Sequence, residues 1–246
     1  MPKISDAYRR VGKLAKFYDA MLTNTGLFGR AAMKFFWGLD AAAYEKFLAQ
    51  AFAGLPTDFS GRLLEVPIGT GVLSLPRYRE LDSAEIFCVD LSAEMLNVAR
   101  ARAAQLNLRG VKFIREDVAN LPFPENFFDA VLSINGLHVF PNKSAALAEM
   151  RRVLKVGGIF CGCMYVAGIN RRTDLFVEKF CTPQGLFAPP YETLPSLQKI
   201  LRELYAQVTV TQVESFAGFV CTKGDLHAEG LSAAAHLPNR QSAEIF

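Results

Sequence analysis

The chain has one tryptophan, three histidines and five cysteines in 246 residues, and each scarcity narrows the field. The cysteines are odd in number and show neither CxxC nor metal-ligand spacing, which argues against a disulfide framework and for a reducing, cytoplasmic setting. His227 and His236 also lack ligand spacing, so no metal site is expected. Basic charge is thin: 27 Lys and Arg against 24 Asp and Glu leave a formal +3. No run of it is dense enough to follow a phosphate backbone, which argues against a nucleic-acid partner. The longest apolar stretch, Val156 to Ile169, is about 14 residues and rich in Gly, short of the roughly 20 that a membrane helix needs. It reads as a buried strand, and no membrane span is expected. The opening MPKISDAYRRVGKLAKFYDA lacks the apolar centre of a secretory signal.

What is present is a core-forming sequence. Hydrophobic residues make up 51% and charged residues 21%, with a mean hydropathy of +0.17. That composition buries a large core, and the length suits one α/β domain or a core with an appended cap. Phe is in excess, with 20 against seven Tyr.

Residues 1–60 contain no convincing strand and read as an N-terminal helical cap. Its clearest helix is Asp40 to Leu55, with Asp40 as N-cap. From Gly61, short β-branched or aliphatic runs alternate with helices, the pattern of a parallel sheet covered on both faces. The strand candidates are Arg62 to Val66, Glu85 to Val89, Val111 to Arg115, Phe128 to Ser133 and Gly157 to Val166. Helices are expected at Ser92 to Leu106, with Met95, Leu96 and Ala99 facing inward, and at Lys143 to Leu154, before a Gly157-Gly158 turn. Residues 167–195 break the alternation with Gly, Pro and aromatics and read as a lid insertion. After a helix at Pro195 to Tyr205, the strands Val208 to Glu214 and Phe216 to Lys223 are so close that they should form an antiparallel hairpin. The domain is thus expected over 61–223, followed by a tail at 224–246.

The chemistry concentrates in LLEVPIGTGVLSLP. A strand ends in Glu65 and turns through Gly69, Thr70 and Gly71 into an expected helix, a place where backbone approaches a ligand over the carboxyl edge of a sheet. Asp90 ends the next strand, 25 residues after Glu65, where a carboxylate can accept both hydroxyls of a ribose. Asp117 follows the third strand. Each acid alone reads more readily as a solvated carboxylate or a helix cap; three acids ending three consecutive strands together point to a bound ligand.

These segments resemble the class I S-adenosylmethionine-dependent methyltransferases. LLEVPIGTG is similar to their first motif, VDLSAEML to the second, EDVANLPFPENFFDAVLS to the third, and RRVLKVGGIF to the strand-five signature. Within that superfamily the chain resembles the group that includes the ubiquinone/menaquinone biosynthesis methyltransferases, which the pair Tyr18-Asp19 also fits. The resemblance implies a doubly wound, seven-stranded, Rossmann-like sheet, mostly parallel, with a C-terminal antiparallel hairpin. It implies S-adenosylmethionine as cofactor and a small-molecule methyl acceptor as partner. It assigns Glu65 to the methionine amino group, the Gly69–Gly71 turn to the methionine and ribose, and Asp90 to the ribose hydroxyls. Leu91 and Met95 of the second motif join the cofactor residues. Asp117 would accept from the adenine amine with Val118 beside the ring, Asn135 would line the methionine end, and Tyr18 would close over the sulfonium. His138 is the best-placed candidate for a catalytic base, with packing as its other reading; Asp19, Tyr165 and Tyr191 are weaker candidates. Pro67 stands where the family usually has Gly, which requires a compatible φ and an amide not used on the ligand.

Other readings remain open at this point. A nicotinamide-dependent oxidoreductase shares the strand, the GxG turn and the acid, although Ser74 occupies its third glycine position. A non-catalytic S-adenosylmethionine-binding module would keep the same acids. Cys161 and Cys163 share a strand face and could mark a redox site or simply fill core. Seven Phe lie in residues 1–60, and Phe176, Phe180 and Phe187 lie in the insertion. Both segments are expected over the methyl end, which suggests an apolar or aromatic acceptor.

Overall fold

A computed structural model of the chain describes residue 19 and residues 22–225. Tyr18 and the tail from residue 226, with His227 and His236, lie outside them. Seven strands form one sheet: β1 (Gly61–Glu65), β2 (Ala84–Asp90), β3 (Val111–Arg115), β4 (Phe128–Ile134), β5 (Leu154–Tyr165), β6 (Gln207–Val213) and β7 (Phe216–Thr222). Their order is β3-β2-β1-β4-β5-β7-β6. The first five run parallel, and β7 pairs antiparallel with both β5 and β6. This is the expected doubly wound sheet closed by a hairpin.

The strands form where the sequence can be buried on both sides. Leu63 and Leu64 are adjacent in β1 and both fully buried, which requires cover on each face. The edge strand β6 instead alternates polar and apolar residues and keeps a half-exposed face. On one face lie α2 (Ala41–Ala51) and α3 (Ala93–Gln105); on the other lie α4 (Lys143–Val153) and α6 (Leu194–Leu204). Helix α1 (Gly26–Trp37) lies against α5 (Arg171–Phe176), which continues into a π-helical turn, Val177–Cys181. Caps come from local chemistry. Asp40 accepts from the Ala43 amide at 3.0 Å, Ser92 from Met95 at 3.2 Å and Asn142 from Ala145 at 3.0 Å.

Three local expectations need correction. No helix follows the Gly69–Gly71 turn: two separate i to i−4 hydrogen bonds, Leu75 amide to Gly71 carbonyl and Tyr78 amide to Ser74 carbonyl, lead into a short 3₁₀ turn, Arg77–Glu80. Pro76 has no amide to continue the ladder, and its ring would clash in a helix begun at Val72. Gly157 and Gly158 are not a turn between helix and strand. Leu154 already pairs with Phe128, and the glycines lie inside β5 where the register shifts, Gly157 taking φ 76°. Helix α2 is also a layer of the main sandwich. Phe47 and Ala51 share one core with Leu63, Ala130 and Cys161, and the buried Gln50 donates to the Phe216 carbonyl at 3.2 Å and accepts from Thr211 at 3.1 Å.

Candidate active site

The parallel strands β1 to β4 all end on one edge, so the residues that terminate them gather there. Glu65 and Asp90 are the last residues of β1 and β2, Asp117 lies two past the end of β3, and Asn135 directly follows β4. A single cleft is bounded by Glu65, Gly69, Thr70, Gly71, Asp90, Leu91, Asp117, Val118 and Asn135. Sheet order fixes their sequence along it: Asp117 at the β3 end, then Asp90, then Glu65, and Asn135 beyond.

The turn after β1 is built to keep backbone close to whatever lies in the cleft. Gly69 and Gly71 take φ of 56° and 67°, conformations that cost a side chain dearly. The Gly69 amide donates to Asp90 Oδ2 at 2.8 Å and the Ser92 amide to Oδ1 at 2.9 Å. Asp90 is only 7% exposed, and burial lifts its carboxyl to about 6 while these amides pull the other way. A carboxylate has about four acceptor positions, and with the Leu91 amide also acting on this one acceptor capacity is still left for a ligand hydroxyl. Pro67 follows a cis peptide bond, and the glycine turn stands in place behind it.

Glu65 is the most charge-starved group at this edge. It is 2% exposed, and burial drives its carboxyl up to about 8, with Asp90 adding repulsion. The Tyr78 hydroxyl donates to Oε2 at 2.6 Å and acts in the opposite sense. A buried acid beside a second acid favours a cation in the adjoining space. Asp117 sits exposed at the rim, where Oδ1 accepts from the Ala119 amide at 2.9 Å; the capping and ligand readings of this residue are thus compatible. Val118 is buried beside it, whereas Leu91 leaves 47% of its surface open at the lip. Asn135 takes a left-handed φ of 54° and its amide donates to the Cys163 carbonyl at 2.8 Å. On the β4 side the wall turns apolar, with Leu22, Ile134, Val139, Phe140 and Pro141.

Two sequence expectations do not fit this cleft. Met95 is fully buried and takes no part in its lining. His138 is 3% exposed, does not line it, and stacks on Phe187 with ring centroids 4.1 Å apart. Its Nδ1 accepts the Tyr165 amide at 3.0 Å, and burial holds the ring down to about 3. A ring so placed packs and bonds backbone, in keeping with the packing reading of His138 rather than with a base facing this cleft. Cys161 and Cys163 are fully buried, and burial pushes both thiols up to about 12, which makes them core rather than redox residues. Among the described residues no cluster suits a metal.

One network was not foreseen. Thr70 Oγ1 donates to Asp19 at 2.6 Å, while the Arg102 guanidinium binds both the Asp19 carboxylate and the Thr70 carbonyl. Asp19, upstream of α1, is thereby tied onto the glycine turn with the help of a side chain from α3. Arg102 gave no signal in the sequence, because its partners lie 32 and 83 residues away.

Residues 63–158 match a protein family described as Methyltransferase domain. A demethylmenaquinone methyltransferase from Geobacillus sp. (strain WCH70) is 32% identical over 165 residues, 65% of this chain and 70% of that protein. The chain belongs to the class I S-adenosylmethionine-dependent methyltransferases. The ubiquinone/menaquinone biosynthesis C-methyltransferase UbiE of Coxiella burnetii (strain Dugway 5J108-111) is 42% identical over 100 residues, 39% of this chain, and the match spans about 40% of that relative's length. A crystal structure of a SAM-dependent methyltransferase from Thermotoga maritima shares the fold, with a TM-score of 0.63 and 18% identity over 88% of this chain and 99% of the other. Membership in this methyltransferase family excludes the nicotinamide-dependent reading of the GxG turn. No helix among the described residues of this methyltransferase is long and apolar enough to cross a membrane.

Proposed function

We propose that this methyltransferase transfers the methyl group of S-adenosylmethionine to a small apolar or aromatic acceptor, of the quinol or phenol class. The single observation that carries the cofactor half is the order of acids along one cleft. Asp117, Asp90 and Glu65 succeed one another over the glycine turn, and the buried Glu65 calls for a cation. In this reading Glu65 holds the methionine ammonium, Asp90 accepts from the ribose hydroxyls, and Asp117 accepts from the adenine amine. Leu91 and Val118 cover the ring faces, and Gly69, Thr70 and Gly71 let the main chain approach. Tyr18 and Asp19 belong to the segment that would close over the methyl end.

When bound, S-adenosylmethionine supplies a methyl group on a positively charged sulfonium, whose departure leaves a neutral thioether. The chain's own task is then to align the acceptor in line with that bond and to exclude water. The wall of Leu22, Ile134, Val139, Phe140 and Pro141 suits an apolar ring. The two curated relatives, named for demethylmenaquinone methylation and for ubiquinone/menaquinone biosynthesis, support the same acceptor class.

The test is S-adenosylhomocysteine release with a panel of hydrophobic quinols and phenols beside polar amines, with mass spectrometry of the product. Turnover confined to the apolar acceptors is expected. Turnover of polar amines alone would refute the acceptor class, and cofactor binding with no turnover of any member would favour the non-catalytic module.

A further inference from the structure

Among the described residues, five of the seven large apolar side chains that stand exposed lie on α1 or the α5 segment: Leu27, Phe35, Ile169, Leu175 and Phe180. Leu27 is 83% exposed and Phe35 56%. Along α1 they form a stripe with exposed Ala31 at four-residue spacing, while Met33 and Trp37 face inward. The two elements make one surface. The Thr173 hydroxyl donates to the Phe36 carbonyl at 2.8 Å, and Phe36 stacks on Phe176 at 4.2 Å. Phe176 stacks in turn on Phe180 at 5.3 Å, and the Arg172 guanidinium sits 5.0 Å over the Phe35 ring.

The rim is cationic. Arg30, Lys34, Arg171, Arg172 and Lys179 are all exposed. Of the nearby acids, Glu178 is paired with Lys179 at 2.6 Å, and Asp174 accepts from the Tyr165 hydroxyl at 2.6 Å and the Gly168 amide at 3.1 Å. The sequence is polarised in the same sense: residues 1–37 hold seven Lys and Arg against two Asp, and 171–181 hold three against two. Those two segments therefore carry a net +6, and the remainder of the chain carries −3. A soluble monomer seldom leaves aromatic and leucine side chains exposed on one surface under a net positive surround without a partner. A second copy across a two-fold axis would set these cations against their own kind.

We propose that this face is a peripheral membrane contact. Leu27, Phe35, Leu175 and Phe180 enter the interfacial region of an anionic bilayer while the surrounding Lys and Arg meet its phosphates. The inference rests on the apolar-acceptor reading for its purpose, because an acceptor dissolved in lipid has to be met at the lipid surface. Only Thr23, Asn24 and Thr25 separate Leu22, at the cleft wall, from the start of α1.

The full chain is floated with phosphatidylcholine vesicles and with vesicles containing about a third phosphatidylglycerol. Binding to the anionic vesicles alone, weakened by salt, is expected. Leu27→Asp and Phe35→Asp should each lower the partition coefficient about tenfold, and neutralising Lys34 about fivefold, with melting temperature and S-adenosylmethionine affinity unchanged. Leu27 is so exposed that its variant keeps the test valid if Phe35→Asp misfolds. Equal or absent binding to both vesicle types, unchanged binding of the variants, or a dimer that Leu27→Asp dissociates would overturn the proposal. A failure of the acceptor reading looks different: turnover of polar acceptors only, with vesicle binding intact.

Discussion

Glu65 shows how one residue's surroundings set the behaviour of a site. Burial raises its carboxyl from 4.5 to about 8, so near neutrality much of it is protonated in the free protein. A cationic ligand prefers the anion and lowers that value. Cofactor affinity should therefore rise with pH and level off above about pH 8, with proton release on binding near neutrality. Titration calorimetry in buffers of different ionisation enthalpy measures both, and Glu65→Gln should lose the component that Glu65 contributes. The same shift has a stability counterpart. The fold gains from protonated Glu65 fully below about pH 4.5 and loses that gain as pH rises through about 8, so Glu65→Gln should raise the melting temperature near pH 8 but not near pH 4.5. The acids themselves were legible in the sequence, because a strand, a turn and a terminal acid leave a local signature. The fate of His138 was not: its burial depends on Phe187, which lies 49 residues on in the insertion.

Elements met their expected places wherever hydrophobic period and capping agreed, as at Ser92 with the buried stripe Met95, Leu96 and Ala99. They departed where one residue overrode the pattern, as Pro76 did after the glycine turn and Gly157 within β5. Two elements make predictions of their own. Helix α4 runs into β5 without a loop, and Lys223, just past β7, holds that junction, with Nζ 2.6 Å from the Leu154 carbonyl, 3.5 Å from the Arg152 carbonyl in the last helical turn and 2.9 Å from Asn126 Oδ1. Lys223→Met should cost about 1 to 3 kcal/mol by leaving those acceptors buried, read as a lower denaturation midpoint with cofactor affinity retained. At the other end of the sheet, Arg102→Ala removes the charged half of the tie between Asp19 and Thr70 and leaves only the Thr70 hydroxyl bond. Cofactor affinity should fall about tenfold, mainly through faster dissociation, which stopped-flow displacement measures. Unchanged dissociation would separate that tie from the site.

At the scale of the whole molecule, a parallel sheet carries its ligand where the strands end, and the order of those strands arranges the acids along one line. The greasy composition divides between two cores, one on each face of the sheet, and a third portion that faces outward on α1 and α5. That last share could not be read from composition, because the same Phe count serves a core, a pocket wall or a docking face. Everything proposed for the chemistry depends on Asp90 as the centre of the cleft, held by the amides of Gly69 and Ser92 with acceptor capacity left for a ligand. Calorimetric titration with S-adenosylmethionine of the intact protein and of Asp90→Asn, which keeps one acceptor oxygen, tests this most directly. One equivalent should bind the intact protein, and the variant should fold but bind about tenfold more weakly or worse. No binding by the intact protein, or equal affinity in the variant, would contradict the account.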